Sequence, residues 1–141
     1  MQHTENKKTD IISAAAELFN KYNYDAVSMN QIAKKVAITK PALYYHFKNK
    51  HELFYHCIDQ TTDAFIKKTQ LIILKPTASI EKKLYELILV HIQFIQEHHE
   101  FMSYMHQKSQ DDKKITELIH KKRNKVAGIT EILSKEMIEK K

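Results

Sequence analysis

The chain has 141 residues and a net charge of +6; 43% of its residues are hydrophobic, and it holds one glycine, two prolines and one cysteine. With Gly128 as its single glycine it can form no GxGxxG dinucleotide turn, P-loop or GxSxG nucleophile elbow, and with Cys57 alone it can form no internal disulfide or CxxC site. Lys7 and Lys8 precede no apolar stretch of the kind a secretory signal needs, and no apolar run approaches the roughly 18 residues of a membrane span, so a soluble, cytoplasmic protein with no membrane partner is expected.

So few breaking residues predict helices nearly throughout, an all-α chain. The first helix is predicted over about Lys8 to Tyr22, where Ile11, Ala15, Leu18 and Tyr22 recur on one face, and Asn23 suits the left-handed residue that ends many helices. Ser28 and Gln31 form an S-x-x-Q capping box, and Val27 and Ile32 occupy the positions of a hydrophobic staple, so a short second helix is predicted over about Met29 to Val36. Three residues later Thr39 is a second cap, with Ile38 and Leu43 at the staple positions and Pro41 in the first turn, where backbone N–H groups have no intrahelical partner. Helix, tight turn and helix within about twenty residues is the helix-turn-helix arrangement, here over about 28–47. Asn49 and Glu52 open a long fourth helix, whose face of Leu53, Cys57, Ala64 and Leu71 runs to about Ile73 before Lys75-Pro76. A fifth helix is predicted over about Ser79 to His98 with Ile80, Leu84, Leu87, Ile88, His91 and Ile95 inward, then a short piece around Phe101–Met105. Asp111 and Asp112 open a last helix lined by Ile115, Leu118, Ile119, Val126, Ile129 and Leu133.

Charge is unevenly placed. Residues 1–50 hold eight lysines against four acids, whereas residues 51–141 hold fifteen basic and thirteen acidic residues. No acid lies between Asp25 and Glu52, while Lys34, Lys35, Lys40, Lys48 and Lys50 do, with His46 and His51. A solvated helix face normally mixes signs, so this acid-free stretch points to a polyanion partner.

The run Ala16-Glu17-Leu18-Phe19, then Tyr24, Ser28, Ile32-Ala33, Ile38-Thr39, Leu43-Tyr44-Tyr45-His46-Phe47 and Lys50-His51-Glu52-Leu53 resembles the DNA-binding domain of the TetR family of transcriptional regulators. Two positions depart from it, since the family usually has glycine where Asn23 and Ala37 stand; Ala37 would cost about 1 kcal/mol if its position needs a positive φ. The resemblance implies a domain over 1–50 that binds double-stranded DNA and a helical regulatory domain over 51–141 that lacks the family's last two helices. Because the family continues past the seventh helix into a four-helix dimer interface, a sequence stopping at Lys141 is expected to be a fragment, with a homodimer expected of the full-length form. In such proteins the second helix of the motif enters the major groove. That implies a DNA-facing surface of Thr39, Lys40, Ala42 and Tyr44 shaped by Pro41, phosphate contacts from Tyr45, His46 and Lys50, and backbone contacts from Ser28 and Asn30. For Tyr44 and Tyr45 partial core packing is the alternative.

Arg123 is the single arginine and lies far from the motif, so the arginine–guanine pairing is closed to this recognition helix, and an A·T-leaning half-site is expected. The resemblance also implies a pocket for a small-molecule effector of unknown identity, with Phe65, Tyr85, His91, Phe94, His98, Met102, Tyr104 and Met105 as candidates and ordinary core packing as the alternative for each. The nine histidines show no HExxH and no i, i+4 pairing among His91, His98 and His106, so no metal or other cofactor is expected. Cys57 reads as a buried core thiol, with a redox sensor as the alternative. The expected function is a ligand-responsive DNA-binding regulator, a repressor acting on a palindrome. An interaction protein using the motif to bind protein or non-specific DNA is the alternative, and no nucleophile–base spacing supports an enzyme.

Overall fold

In a computed structural model that describes residues 2–108 and 111–140, every regular element among the described residues is a helix. These are α1 (Gln2–Tyr22), α2 (Met29–Val36), α3 (Lys40–His46), α4 (Lys50–Ile73), α5 (Ile80–Glu97), α6 (His99–Lys108) and α7 (Lys113–Glu139). Lys141, where the sequence stops, lies outside the described residues. Helix α1 starts earlier than its apolar period predicts. Its first turns are polar and carry Glu5 at the favoured end of the dipole, so nothing in the hydrophobic pattern marks them. Asp112 caps α7 as expected, its Oδ1 accepting from Ile115 N at 3.1 Å.

The chain divides into two units. The first takes the described residues up to Thr61 together with His98–Lys108, and the second takes Thr62–Glu97 with the residues from Asp111 onward. The boundary expected at residue 50 is therefore displaced. Leu53, Phe54, Cys57 and Ile58 in the first turns of α4 are fully buried, as are Ile11, Ala15 and Phe19 of α1. Phe54 meets Phe19 edge-on at 5.1 Å, and α6 adds Phe101, 5.1 Å from Phe54, and Tyr104, 5.2 Å from it. Such rings each bury a large area, and the four together bind α4 and α6 into the same core as the helix-turn-helix.

The second unit has its own core, in which Ile66, Ile72 and Ile73 of α4, Leu87 of α5, and Ile129 and Leu133 of α7 are buried, with Ile80, Val90 and Val126 packed against them. Here α5 keeps Ile80 and Leu87 inward as expected but turns Leu84, Ile88, His91 and Ile95 outward. Lys83 and Leu87 are buried and Ile80, Val90 and Phe94 half-buried, whereas Leu84, Tyr85, Ile88, Leu89, Ile92 and Ile95 are exposed. Both rows have helical spacing, and the one turned inward joins the core with Ile129 and Leu133 and carries a charged residue. Lys83, only 4% exposed, reaches Glu136 of α7 at 2.8 Å, so a charged position turns inward because its charge is matched there.

Candidate nucleic-acid interface

Local hydrogen bonds build the motif. Ser28 Oγ accepts from Gln31 N at 3.2 Å while Gln31 Oε1 accepts from Ser28 N at 2.8 Å, which closes the capping box of α2. At its other end Ala37 is left-handed, with φ 56° and ψ 46°; Ala37 N donates to Lys34 O at 3.1 Å and Ile38 N to Ala33 O at 3.0 Å, the paired bonds of a Schellman turn. The methyl-bearing Ala37 thus sits where the backbone favours glycine. Asn23 is also left-handed, at φ 63°, and its Oδ1 accepts from Ala26 N at 3.1 Å. Thr39 Oγ1 accepts from Ala42 N at 3.2 Å to cap α3, which leaves the hydroxyl proton and the methyl group for an outside partner. At α4, Asn49 Oδ1 accepts from Glu52 N at 2.8 Å, but the reciprocal bond comes from Lys48 N to Glu52 Oε2 at 2.6 Å, one residue before the cap.

Leu43 and Phe47 anchor α3 by full burial, so its other side chains face outward. Tyr45 is 81% exposed and lies edge-on to His46 at 5.3 Å; Tyr44 is 43% exposed. Lys40 and Pro41 are exposed, and Ala42 and His46 half-buried. A shallow groove gathers Ser28, Asn30, Lys40, Tyr44 and Lys50, residues contributed by α2, its cap, α3 and α4. Asp25 also lines it, an acid that the chain-order reading left outside the basic stretch.

The lysines separate into two kinds. Lys35 pairs with Glu17 of α1 at 2.8 Å, and Lys50 Nζ donates to Tyr24 O at 2.9 Å and Val27 O at 3.1 Å. Lys34, Lys40 and Lys48 are exposed and make no side-chain ion pair among the described residues. Lys8 of α1, which sequence reasoning passed over, stands 5.3 Å from the Phe47 ring centre, beside the end of α3. Its place three residues before Ile11, the first buried position of α1, is the signal that could have found it.

The eight candidate effector contacts divide between the units. Phe65, His91 and Phe94 form one aromatic group in the second, with Phe65 4.9 Å from His91 and 4.5 Å from Phe94, while Tyr85 is 64% exposed on the outer row of α5. His98, Met102, Tyr104 and Met105 belong to the first unit. There Asn20 Nδ2 lies 2.9 Å from His98 Nδ1, and Tyr104 stacks on Tyr24 at 4.4 Å. Burial, then the neighbouring Tyr24 and Asp25, push the Tyr104 hydroxyl up to about 12; burial, then Asp25, raise that of Tyr24. No helix among the described residues is long and apolar enough to cross a membrane.

Residues 11–57 match the sequence profile of bacterial regulatory proteins of the tetR family. Over 59 residues, 42% of this chain, the sequence is 37% identical to IcaR, the HTH-type negative transcriptional regulator of the biofilm operon icaADBC in Staphylococcus epidermidis. Over 65 residues, 43% of this chain, it is 42% identical to the TetC protein of transposon Tn10 in Escherichia coli. These matches cover 32% and 33% of the relatives' own lengths, about a third of each. The fold resembles that of a proposed transcriptional regulator from Saccharomonospora viridis solved in complex with choline, with a TM-score of 0.80 at 16% identity over 94% of this chain and 72% of that one. Over residues 11–57, then, the chain is similar to bacterial regulatory proteins of the tetR family.

Proposed function

We propose that this protein is a cytoplasmic transcriptional repressor that binds a palindromic site in double-stranded DNA as a homodimer and releases it when a small molecule binds. The observation that carries the DNA-binding part is the groove where Ser28, Asn30, Lys40 and Tyr44 meet, beside an outward-facing Tyr45. Helix α3 enters the major groove, where Lys40 can reach guanine and the methyl groups of Thr39 and Ala42 suit thymine. Tyr45 and His46, with Lys34, Lys48 and Lys8, hold the phosphates on either side. Repression follows the named role of the Staphylococcus relative, and effector control is supported by the choline held by the Saccharomonospora protein. Within the second unit the group of Phe65, His91 and Phe94 is the strongest candidate for an apolar effector contact. The exposed row on α5 supports self-association, since an apolar face of that length is seldom left in water.

Footprinting of the chain on its own flanking promoter tests the assignment. Protection of a palindrome is expected. Uniform, sequence-independent protection would instead favour a module that binds DNA non-specifically, and no protection would favour a protein-binding role for the motif.

A further inference from the structure

Lys50 is the first residue of α4, and its side chain is committed within the fold. Its ammonium lies 2.9 Å from Tyr24 O, 3.1 Å from Val27 O and 4.1 Å from the centre of the Tyr24 ring. An ammonium has three donors. Two are taken by these carbonyls, and the ring face attracts the charge itself. Both carbonyls belong to the connection between α1 and α2, and Val27 O immediately precedes the Ser28 cap. That connection is short and tightly turned. Asn23 is left-handed, Val27 N donates to Tyr24 O at 3.3 Å, and Val27 is buried. The Tyr24 ring is itself fixed, stacked on Phe19 at 5.5 Å and on Tyr104 at 4.4 Å and edge-on to Phe54 at 4.9 Å. One side chain thus ties the start of α4 to the segment that delivers the first turn of α2 to the groove.

We infer that Lys50 is a positioning residue for DNA binding: it holds the α1–α2 connection so that Ser28 and Asn30 stand at the groove, and it is not a phosphate contact. This rests on the DNA-binding assignment and departs from the role that the family resemblance implies for Lys50. A lysine that neutralises a phosphate releases a counterion and contributes about one unit to the salt dependence. A lysine that bridges backbone carbonyls contributes none. Its loss acts through the groups it places.

The test uses the full chain and two duplexes, one of mixed sequence and one selected by the wild-type protein from a randomised library, titrated across potassium chloride concentrations. Lys50→Met keeps the aliphatic stem and removes the ammonium; Lys48→Ala is the comparison. The expected result is that Lys50→Met weakens binding to the selected duplex about tenfold with an unchanged log–log salt slope, whereas Lys48→Ala lowers the slope by about one. Asn30→Ala should weaken the wild type but add little in the Lys50→Met background, because the first turn of α2 is already misplaced. A generally loosened fold would leave the Asn30→Ala effect the same in both backgrounds, and that additivity overturns the inference. So does a slope reduced by about one in Lys50→Met, or an affinity that does not change. Amide hydrogen exchange of the DNA-free protein supplies an independent arm, in which faster exchange confined to residues 23–29 is expected and unaltered exchange there overturns the tie. Failure of the wild type to bind either duplex would remove the DNA-binding assignment itself, a result distinct from a Lys50 variant that binds with a reduced slope.

Discussion

Ala37 carries a backbone conformation that its methyl group resists. At φ 56° the Cβ crowds the backbone, which glycine avoids, and the Schellman bonds around it depend on that conformation. Ala37→Gly is therefore expected to raise stability by about 1 kcal/mol in urea denaturation, the relief of strain outweighing the added freedom of the unfolded chain. Asn23→Gly should bring no such gain, since it removes the bond from Ala26 N to Asn23 Oδ1 along with the strain. Equal gains at the two sites would show that φ alone sets the balance. Cys57 illustrates burial at the same scale. It is fully buried, burial pushes its thiol well above the usual range, and its hydrogen lies toward Ile12 O, 3.5 Å from Sγ. The thiolate is the reactive form, so a maleimide should label the native protein slowly at pH 7 and rapidly only in denaturant. Fast labelling of the folded chain would restore the redox-sensor alternative.

Among the elements, α3 separates packing from contact on a helix of seven residues. Leu43 has no exposure and Tyr45 projects into solvent, so the two should respond oppositely to truncation. Leu43→Ala is expected to destabilise the protein by about 2–5 kcal/mol. Tyr45→Ala should leave the melting temperature nearly unchanged and weaken DNA binding; an unaltered affinity would remove Tyr45 from the contact surface. Helix α5 is held to α7 by charge as well as by apolar packing. The hydrogen bond from Lys83, then that from Lys140, holds the Glu136 carboxyl below the usual carboxylate range. A lowered folded-state pKa means that Glu136 stabilises the protein above the ordinary carboxylate range, and that this contribution disappears as pH falls through the lowered value. Glu136→Gln should therefore melt at a lower temperature than wild type near neutral pH, with the difference shrinking in acid. A difference independent of pH would show that the carboxylate's charge contributes nothing.

At the scale of the whole molecule, the charge that matters for DNA is smaller than the sequence total. Of the five lysines between Asp25 and Glu52, Lys35 is paired with Glu17 and Lys50 with backbone carbonyls, which leaves Lys34, Lys40 and Lys48. If Lys34 and Lys48, with Lys8 of α1, neutralise phosphates while Lys40 reads a base, the affinity of one chain should fall with salt at a log–log slope of about −3, and of a dimer at about −5 to −6. Lys34→Ala should lower that slope by about one and Lys35→Ala should leave it unchanged, measured on the same duplex. A loss of slope with Lys35→Ala would mean that the Glu17 pair opens on DNA.

The helix starts and stops around the motif were determined by the sequence alone. The caps of α2 and α3 and the left-handed Asn23 follow from side chain–backbone bonds three residues apart and from the period of one helix, and both are written locally, whereas the left-handed Ala37 is marked by no side chain of its own. The choice of partner is another matter. Which of two apolar rows α5 buries, the membership of Tyr104 in the first unit's core, the turning of Lys35 toward Glu17 and the tie of Lys50 to carbonyls 23 and 26 residues away were decided only by the tertiary structure. A helical period states that a face is apolar without naming what covers it. A lysine's long stem reaches as readily to a backbone carbonyl as to a phosphate, so its role depends on what folding brings within about 3 Å of its nitrogen.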